Sequence, residues 1–225
     1  MAIIEGATSG ELVEVGQANA KPMHVVSKPQ PSGSLGHYQL AVQTGAIGAG
    51  MAANGEIFQF RWTDSTRLCI INKISINGMF ASTAFAAGGI TLATAICRNW
   101  SADGTGGTAL TLTGDNNQLR SSMGASLLGT ARIATTAALG AGTKTIDAQN
   151  IGMITTHSSG GTGSATPIIG SIRLPVMDLF ECDIADGEHP IVLAVNEGII
   201  IRATVPATGV WTAGISIKWA ELTAF

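Results

Sequence analysis

The residues that catalysis and metal binding most often use are few in this chain and stand apart. The segment "CDIADGEHP" is the densest, with Asp183, Asp186 and Glu188 beside His189. Carboxylate oxygens at such a turn suit a hard cation, although the spacing is not that of an EF-hand loop. A cation site from Asp183 to His189 and an ordinary acidic turn between strands both remain open. None of the four histidines forms a zinc-like pair.

Two glycine-rich stretches match part of a dinucleotide-binding fingerprint. They are "GAGMAA" at Gly48–Ala53 and "GTGGTA" at Gly104–Ala109. The fingerprint works only where a strand precedes it and a helix follows, and each stretch runs into a predicted strand instead. "THSSGG" at Thr156–Gly161 lacks the G-x-S-x-G pattern of a serine nucleophile. The sequence therefore predicts no catalytic residues and no cofactor, and we expect a protein that is not an enzyme.

The chain has four tryptophans, which are its largest aromatic side chains. Trp62 and Trp219 lie on the apolar faces of predicted strands and are expected in the core. Trp100 and Trp211 lie near turns, where they could stack on a ligand or on a neighbouring subunit. The alternative for both is packing at the edge of the core.

Composition favours strands and turns over helices. Charged residues are 12% of the chain, about half the usual share, and 29 of 225 residues are glycine. The net charge of −3 is scattered, without the basic stripe that nucleic-acid or membrane-surface binding uses. Neither partner is expected. The cysteines, Cys69, Cys97 and Cys182, lack metal spacing and are predicted to be buried thiols of a reducing compartment. The N-terminus does not have the pattern of a signal peptide.

Period-two alternation from residue 37 onward predicts an all-β fold. The uncharged stretch Met79–Cys97 alternates on either side of Gly88-Gly89, which favours two strands over a membrane helix. Apolar residues alternate at Leu68 and Ile70 and again at Ile74 and Ile76. The phase break between them, at Ile71-Asn72, indicates a bulge or a fully buried centre. Pro190–Val195 and Gly198–Val205 are predicted to form a hairpin through Asn196-Glu197. Residues 37–225 should form an antiparallel β-sandwich of jelly-roll type. Between residues 115 and 167 the pattern is weaker, and short helices compete with strands.

Residues 1–36 differ from the rest. Short apolar pieces alternate there with prolines, which oppose regular structure. The segment is predicted to be an extended N-terminal arm, either flexible or ordered only against a partner. Its apolar residues are the predicted partner-binding set: Ile3, Ile4, Leu12, Val13, Val15, Val25 and Val26.

Several long segments carry a family resemblance. They are "NGEIFQFRWTDSTRLCIINKISI", "SADGTGGTALTLTGDNNQLRSSMG", "TTAALGAGTKTIDAQ", "THSSGGTGSATPIIGSIRLP" and "GEHPIVLAVNEGIIIRATVPATGVWTAGISIKWAE". Together with the leader "IIEGATSGELVEVGQANAKPMHVV", the chain resembles a family of tailed-bacteriophage virion structural proteins. The resemblance brings no catalytic motif. It implies a component of an assembled particle, on the head or on the tail.

The expectation that follows is a capsid decoration or cement protein. It would form homotrimers, bind the major capsid protein and stabilise the shell, and it would be assembled in the host cytoplasm and reside in the virion. The alternative is a head-fibre or tail appendage that binds host surface glycans through Trp100 or Trp211.

Overall fold

The structure is a computed structural model of the chain, and it describes residues 2–5, 12–15, 36–112, 117–158, 160, 176–182 and 188–223. Contacts divide the chain into two units, Met1–Gln30 and Pro31–Phe225. In the first unit, β1 (Ala2–Glu5) and β2 (Leu12–Val15) pair antiparallel, with Ile4 opposite Val13. The segment predicted to be an extended arm thus holds a two-stranded ribbon.

The second unit contains twelve strands in its described residues. They are β3 (Gly36–Gln43), β4 (Gly55–Trp62), β5 (Leu68–Thr83), β6 (Gly88–Ala102), β7 (Thr108–Leu110), β8 (Thr130–Ile133), β9 (Thr143–Ile146), β10 (Gly152–Ser158), β11 (Met177–Glu181), β12 (Ile191–Leu193), β13 (Glu197–Thr204) and β14 (Val210–Leu222).

These strands form two antiparallel sheets that pack face to face. The seven-stranded sheet has the order β10-β6-β13-β4-β8-β7, with β9 also paired to β6. The five-stranded sheet has the order β11-β5-β14-β3, with β12 also paired to β5. The predicted antiparallel β-sandwich is confirmed. Among the described residues there is no helix that is long and apolar enough to cross a membrane.

Alternation along β14 shows which of its side chains face the core between the two sheets. Trp211, Ala213, Ile215, Ile217 and Trp219 are buried, and the residues between them are half-exposed. Since side chains alternate between the faces of a strand, one face of β14 supplies the core. The core position predicted for Trp219, and for Trp62 of β4, is confirmed.

A bulge in β5 changes which residues face that core. Lys218 of β14 lies opposite Lys73 and Trp219 lies opposite Ile71, so Asn72 is the extra residue. Of the two alternatives predicted for this phase break, a bulge or a fully buried centre, the structure has the bulge. Cys69 and Ile71 join the main core. Ile70 instead packs with Ala220 and Leu222 in a separate cluster, against which Leu68 and Val192 also pack.

The stretch around Asn196 is a corner between the sheets, and the predicted hairpin there is wrong. β12 pairs with β5 in the five-stranded sheet, whereas β13 lies between β6 and β4 in the seven-stranded sheet. Asn196 has a φ of 61°, a left-handed conformation that asparagine tolerates. This turn directs the chain from one layer to the other.

Two further regions of the described chain contain strands. Met79–Cys97 is divided between β5 and β6, as predicted, with the break at residues 84–87. The described part of the weak region, residues 117–158 and 160, contains β8, β9 and β10 joined by turns and loops. The short helices considered there are not formed in these residues.

Candidate functional site

The outer face of the seven-stranded sheet carries a second, smaller core. Ala95, Cys97, Trp100 and Ile200 are buried together there, and Ile146 of β9 packs against them. Trp100 lies at an irregularity in the β6–β9 ladder and donates its indole N–H to the Ala102 carbonyl at 3.0 Å. Its ring is only 1% exposed. This apolar cover places a low-dielectric environment over one end of β4.

Three polar side chains are buried beside that cover, and we refer to Lys144, Glu56 and Gln59 as the lysine cluster. The Lys144 ammonium donates to Glu56 Oε2 at 2.9 Å and to the Ala141 carbonyl. Gln59 Nε2 donates to the same Glu56 oxygen at 2.6 Å and to the Gly140 carbonyl at 2.8 Å. The side chains of Lys144 and Glu56 are 1% and 7% exposed. One carboxylate oxygen therefore joins an amine and an amide out of contact with bulk water.

A bulge in β4 brings the carboxylate and the amide to the same face. Ile201 of β13 lies opposite Phe58, and Arg202 lies opposite Glu56, so Ile57 is the extra residue. Ile57 and Phe58 both join the main core. Because the bulge reverses the alternation, Glu56 points to the same outer face as Gln59. A regular strand would have placed these two side chains on opposite faces of the sheet.

Two loops, one containing Gly104 and Thr105 and the other containing Leu139 and Gly140, cover the lysine cluster. The Leu139 N–H donates to the Glu56 carbonyl at 2.8 Å, and the Gly140 N–H donates to the Thr105 carbonyl at 2.9 Å. Gly104 lies where the loops cross: a Cβ there would lie 2.0 Å from the Gly140 oxygen and 2.6 Å from the Gln59 amide. Only a residue without a side chain allows this approach. The Lys144 ammonium lies 4.6 Å from the centre of the Trp100 ring, within the range of a cation–π contact.

One atom of the lysine cluster has no hydrogen bond. Gln59 Oε1 is buried and has no partner among the described residues. A buried carbonyl oxygen without a donor costs free energy, so the cluster is not fully satisfied as a static network.

A shallow groove lies on the outer face of the five-stranded sheet, and we call it the Phe80 groove. Asn77 and Gly78 together lie opposite Gly214, a bulge in which Gly78 has a φ of 121°. Phe80 is 49% exposed beside this depression. The groove has a volume of about 390 Å³ and is lined by Gln43, Asn77, Gly78, Met79, Phe80, Thr212 and Gly214.

The tryptophans predicted to stack on a ligand are not exposed. Trp211 is 0% exposed and lies in the main core, where it pairs with Ile47 and Ala81. Trp100 is 1% exposed and lies in the smaller core with Ala95, Cys97 and Ile200. The stacking role predicted for Trp100 and Trp211 is wrong, because a ligand cannot reach a ring that is buried on both faces. Both side chains instead pack inside the protein, as the alternative prediction had it.

The predicted partner-binding set is only partly described. Ile3 and Ile4 lie in β1, and Leu12, Val13 and Val15 lie in β2. Val25 and Val26 lie outside the described residues. The backbone pairing brings Ile3, Ile4, Leu12, Val13 and Val15 into one ribbon, which their separation in the sequence does not indicate.

The predicted cation site cannot be assembled from the described residues. Residues 183–187 lie outside them, and the described part of the chain holds no group of three residues that could bind a metal. Cys69 and Cys97 are buried free thiols, as predicted, whereas Cys182 is half-buried. Burial raises the pKa of the Cys97 thiol to about 12, so this thiol stays protonated.

Sequence reasoning missed both the lysine cluster and the Phe80 groove. Glu56 and Gln59 are near neighbours in β4, but Lys144 comes from β9, far along the chain. No spacing rule links them. The bulge at Asn77-Gly78 had only the Asn-Gly pair as a signal. No family model and no curated protein matches this chain.

Proposed function

We propose that this chain is a structural component of a bacteriophage virion, a capsid decoration or cement protein that binds and stabilises the major capsid shell. It assembles in the host cytoplasm and remains on the particle. The proposal is of a structural protein and not of an enzyme. The observation that carries it is the order of the strands in the two sheets.

We propose that this order is that of a jelly roll. Eight strands form the two four-stranded layers β3-β14-β5-β11 and β4-β13-β6-β10. The first of the eight pairs with the last, the second with the seventh, the third with the sixth and the fourth with the fifth. An antiparallel ribbon of strands wrapped on itself gives this nested pairing. Jelly rolls are frequent in viral capsid and lectin domains, which supports a role in a particle or in glycan binding.

The N-terminal unit supports attachment to a shell. The ribbon of β1 and β2 is a unit of its own by its contacts, and it carries five of the predicted partner-binding residues. A ribbon has free backbone donors and acceptors along its outer edges, which can extend the sheet of a partner. We propose that this ribbon binds neighbouring subunits of the shell.

Exposed apolar side chains support association between copies. β10 and β11 are the last strands of their sheets in the described chain, and they carry Met153, 60% exposed, and Met177, 36% exposed. Ile151 and Val176 precede these strands and are 37% and 66% exposed. Apolar side chains exposed at the end of a sheet favour association with another chain. We propose that copies of this protein, as a homotrimer, cover this edge.

A particle-binding experiment tests the proposal. Phage particles lacking this protein are incubated with the full chain, with residues 31–225, and with full-length Ile4→Asp/Val13→Asp, and bound protein is quantified after sedimentation. We expect the full chain to coat the particles and the other two to remain in solution while their circular dichroism stays that of a folded β protein. Full occupancy by residues 31–225 would exclude the ribbon, and failure of the full chain to bind would exclude the decoration role.

The Phe80 groove favours a second candidate, a head-fibre or tail appendage that binds host glycans. An exposed aromatic ring can stack on the apolar face of a sugar, and the amides of Gln43 and Asn77 and the hydroxyl of Thr212 can bond its hydroxyls. A glycan array probed with the full chain should then give a signal that Phe80→Ala removes and Leu119→Ala, at an equally exposed residue elsewhere, retains. A blank array excludes this candidate.

A further inference from the structure

The lysine cluster combines an amine, a carboxylate and an amide with almost no access to water. Glu56 Oε2 accepts from Lys144 Nζ at 2.9 Å and from Gln59 Nε2 at 2.6 Å. If the Lys144 amine displaced the amide nitrogen of Gln59, the two nitrogens that exchange would be the two that bond Glu56 Oε2. A carboxylate between them is positioned to carry a proton from one to the other.

We propose that Lys144 and Gln59 react within the folded chain to form an isopeptide bond, with Glu56 as the catalytic acid and base. The product is an amide between Lys144 Nζ and Gln59 Cδ that covalently joins β9 to β4. This inference does not depend on the proposed virion role, since it concerns only residues inside the sandwich unit.

The reaction balances without an oxidant, a reductant or a further reactant. Glu56 takes a proton from the Lys144 ammonium, and the lone pair released on Nζ attacks Gln59 Cδ. The bond between Cδ and Nε2 then breaks, and its electron pair leaves with Nε2. Nε2 takes one proton from Nζ and one from Glu56 and departs as ammonium. Glu56 returns to its carboxylate, and one N–H remains on the new amide.

The surroundings favour this reaction over a permanent ion pair. Trp100 and the loops that cross at Gly104 exclude water, which would otherwise hydrate the amine. Close placement of amine and amide replaces an encounter in solution by a reaction within one site. Gln59 Oε1 has no partner among the described residues, so no hydrogen bond at that oxygen resists turning Cδ toward the amine.

An exposed ion pair in the same chain provides the contrast. Lys73 bonds Asp178 and Glu181, both at 2.8 Å, but its side chain is 28% exposed and those of its partners are 34% and 54% exposed. No amide carbon belongs to that group, and solvent reaches the ammonium. Lys73 therefore serves as the control lysine.

The intact mass of the full chain tests the proposal directly. After purification and incubation of the folded protein at neutral pH, we expect a mass lower than the sequence mass by one ammonia. Protease digestion should yield a branched peptide that contains both Gln59 and Lys144. In a denaturing gel the linked chain should migrate faster than an unlinked one, because the loop between the two residues stays closed.

Matched variants assign the roles. Lys144→Met and Glu56→Gln should both restore the full sequence mass, whereas Lys73→Met should keep the loss of ammonia. Circular dichroism confirms that each variant is folded, and the mass of the unaltered chain decides the question even where a variant does not fold. A wild-type chain that keeps its full mass after incubation overturns the proposal. So does an ammonia loss that maps to Asn54-Gly55 or Asn77-Gly78, where a backbone succinimide forms instead.

Discussion

Phe60 of β4 and Trp219 of β14 meet edge to face across the two sheets, with ring centroids 5.3 Å apart and planes at 71°. Trp219 also stacks on Tyr38 of β3, at 5.5 Å and 22°. All three residues are fully buried. Aromatic residues are only 5% of the chain, so this group supplies a large share of the aromatic packing between the layers.

Trp219→Ala should destabilise the protein strongly. Removing a buried aromatic side chain leaves a cavity in a close-packed core, and such changes cost about 3–5 kcal/mol in the free energy of unfolding. Urea denaturation followed by circular dichroism measures the loss. Val195→Ala is the control, because Val195 is 42% exposed and surface changes usually stay within about 0.5 kcal/mol. Equal losses in the two variants would contradict the central role of Trp219.

The sequence was sufficient to predict the strands whose alternation is complete. Along β14, each inward residue from Trp211 to Ile217 is apolar, and a half-exposed residue follows it. Burial alone imposes this pattern, because one face of the strand meets the core and the other meets solvent. The same reasoning located the phase break at Asn72, since a bulge shifts alternation by one residue.

Pairing between distant segments could not be predicted in the same way. The turn at Asn196 is compatible with a hairpin and with a corner between sheets, and only the partners of β12 and β13 distinguish them. The lysine cluster depends on a bulge at Ile57 and on the return of the chain at β9. Each is a tertiary feature, for which local propensity and periodicity carry no signal.

Arg67→Met should destabilise the protein more than an equal change at an exposed lysine. Glu221 is 0% exposed and accepts from Ser126 Oγ at 2.8 Å, the Leu127 N–H at 3.0 Å and Arg67 Nη1 at 3.3 Å. Loss of the guanidinium leaves this carboxylate without its cation, which we expect to cost about 2 kcal/mol.

The control for Arg67→Met is Lys73→Met, whose ion pairs are largely exposed and should contribute less than about 1 kcal/mol. Both free energies of unfolding are measured at neutral pH and at low and high salt. A loss at Arg67 no greater than that at Lys73 would show that Ser126 and Leu127 suffice to stabilise the Glu221 carboxylate.

Gly198→Ala should be destabilising, although the added group is a single methyl. A Cβ at Gly198 would lie 2.2 Å from the Phe60 carbonyl oxygen and 2.8 Å from the Trp100 ring. Overpacking of this kind costs about 1–3 kcal/mol. Gly89→Ala in β6 is the control, since nothing lies within 4 Å of its Cβ position. In thermal unfolding, Gly198→Ala should have a lower Tm than Gly89→Ala. Gly198→Ala should also lower the Tm when it is added to Trp100→Leu, because the Phe60 carbonyl oxygen belongs to the backbone and cannot move away.

His37 should make the protein less stable as the pH falls. Burial lowers the pKa of His37 below its usual value of 6.5, and the charge of Lys218 lowers it further. Below about pH 6.5 the unfolded chain therefore binds a proton at this residue that the folded chain does not, and the free energy of unfolding declines. Urea midpoints measured between pH 7 and pH 5 should fall less steeply for His37→Gln than for the unaltered chain. His157→Gln, at an exposed histidine, should keep the original slope. If the urea midpoints of His37→Gln fall as steeply as those of the unaltered chain, protonation of His37 does not limit stability in this range. Carboxylates must then account for the acid sensitivity.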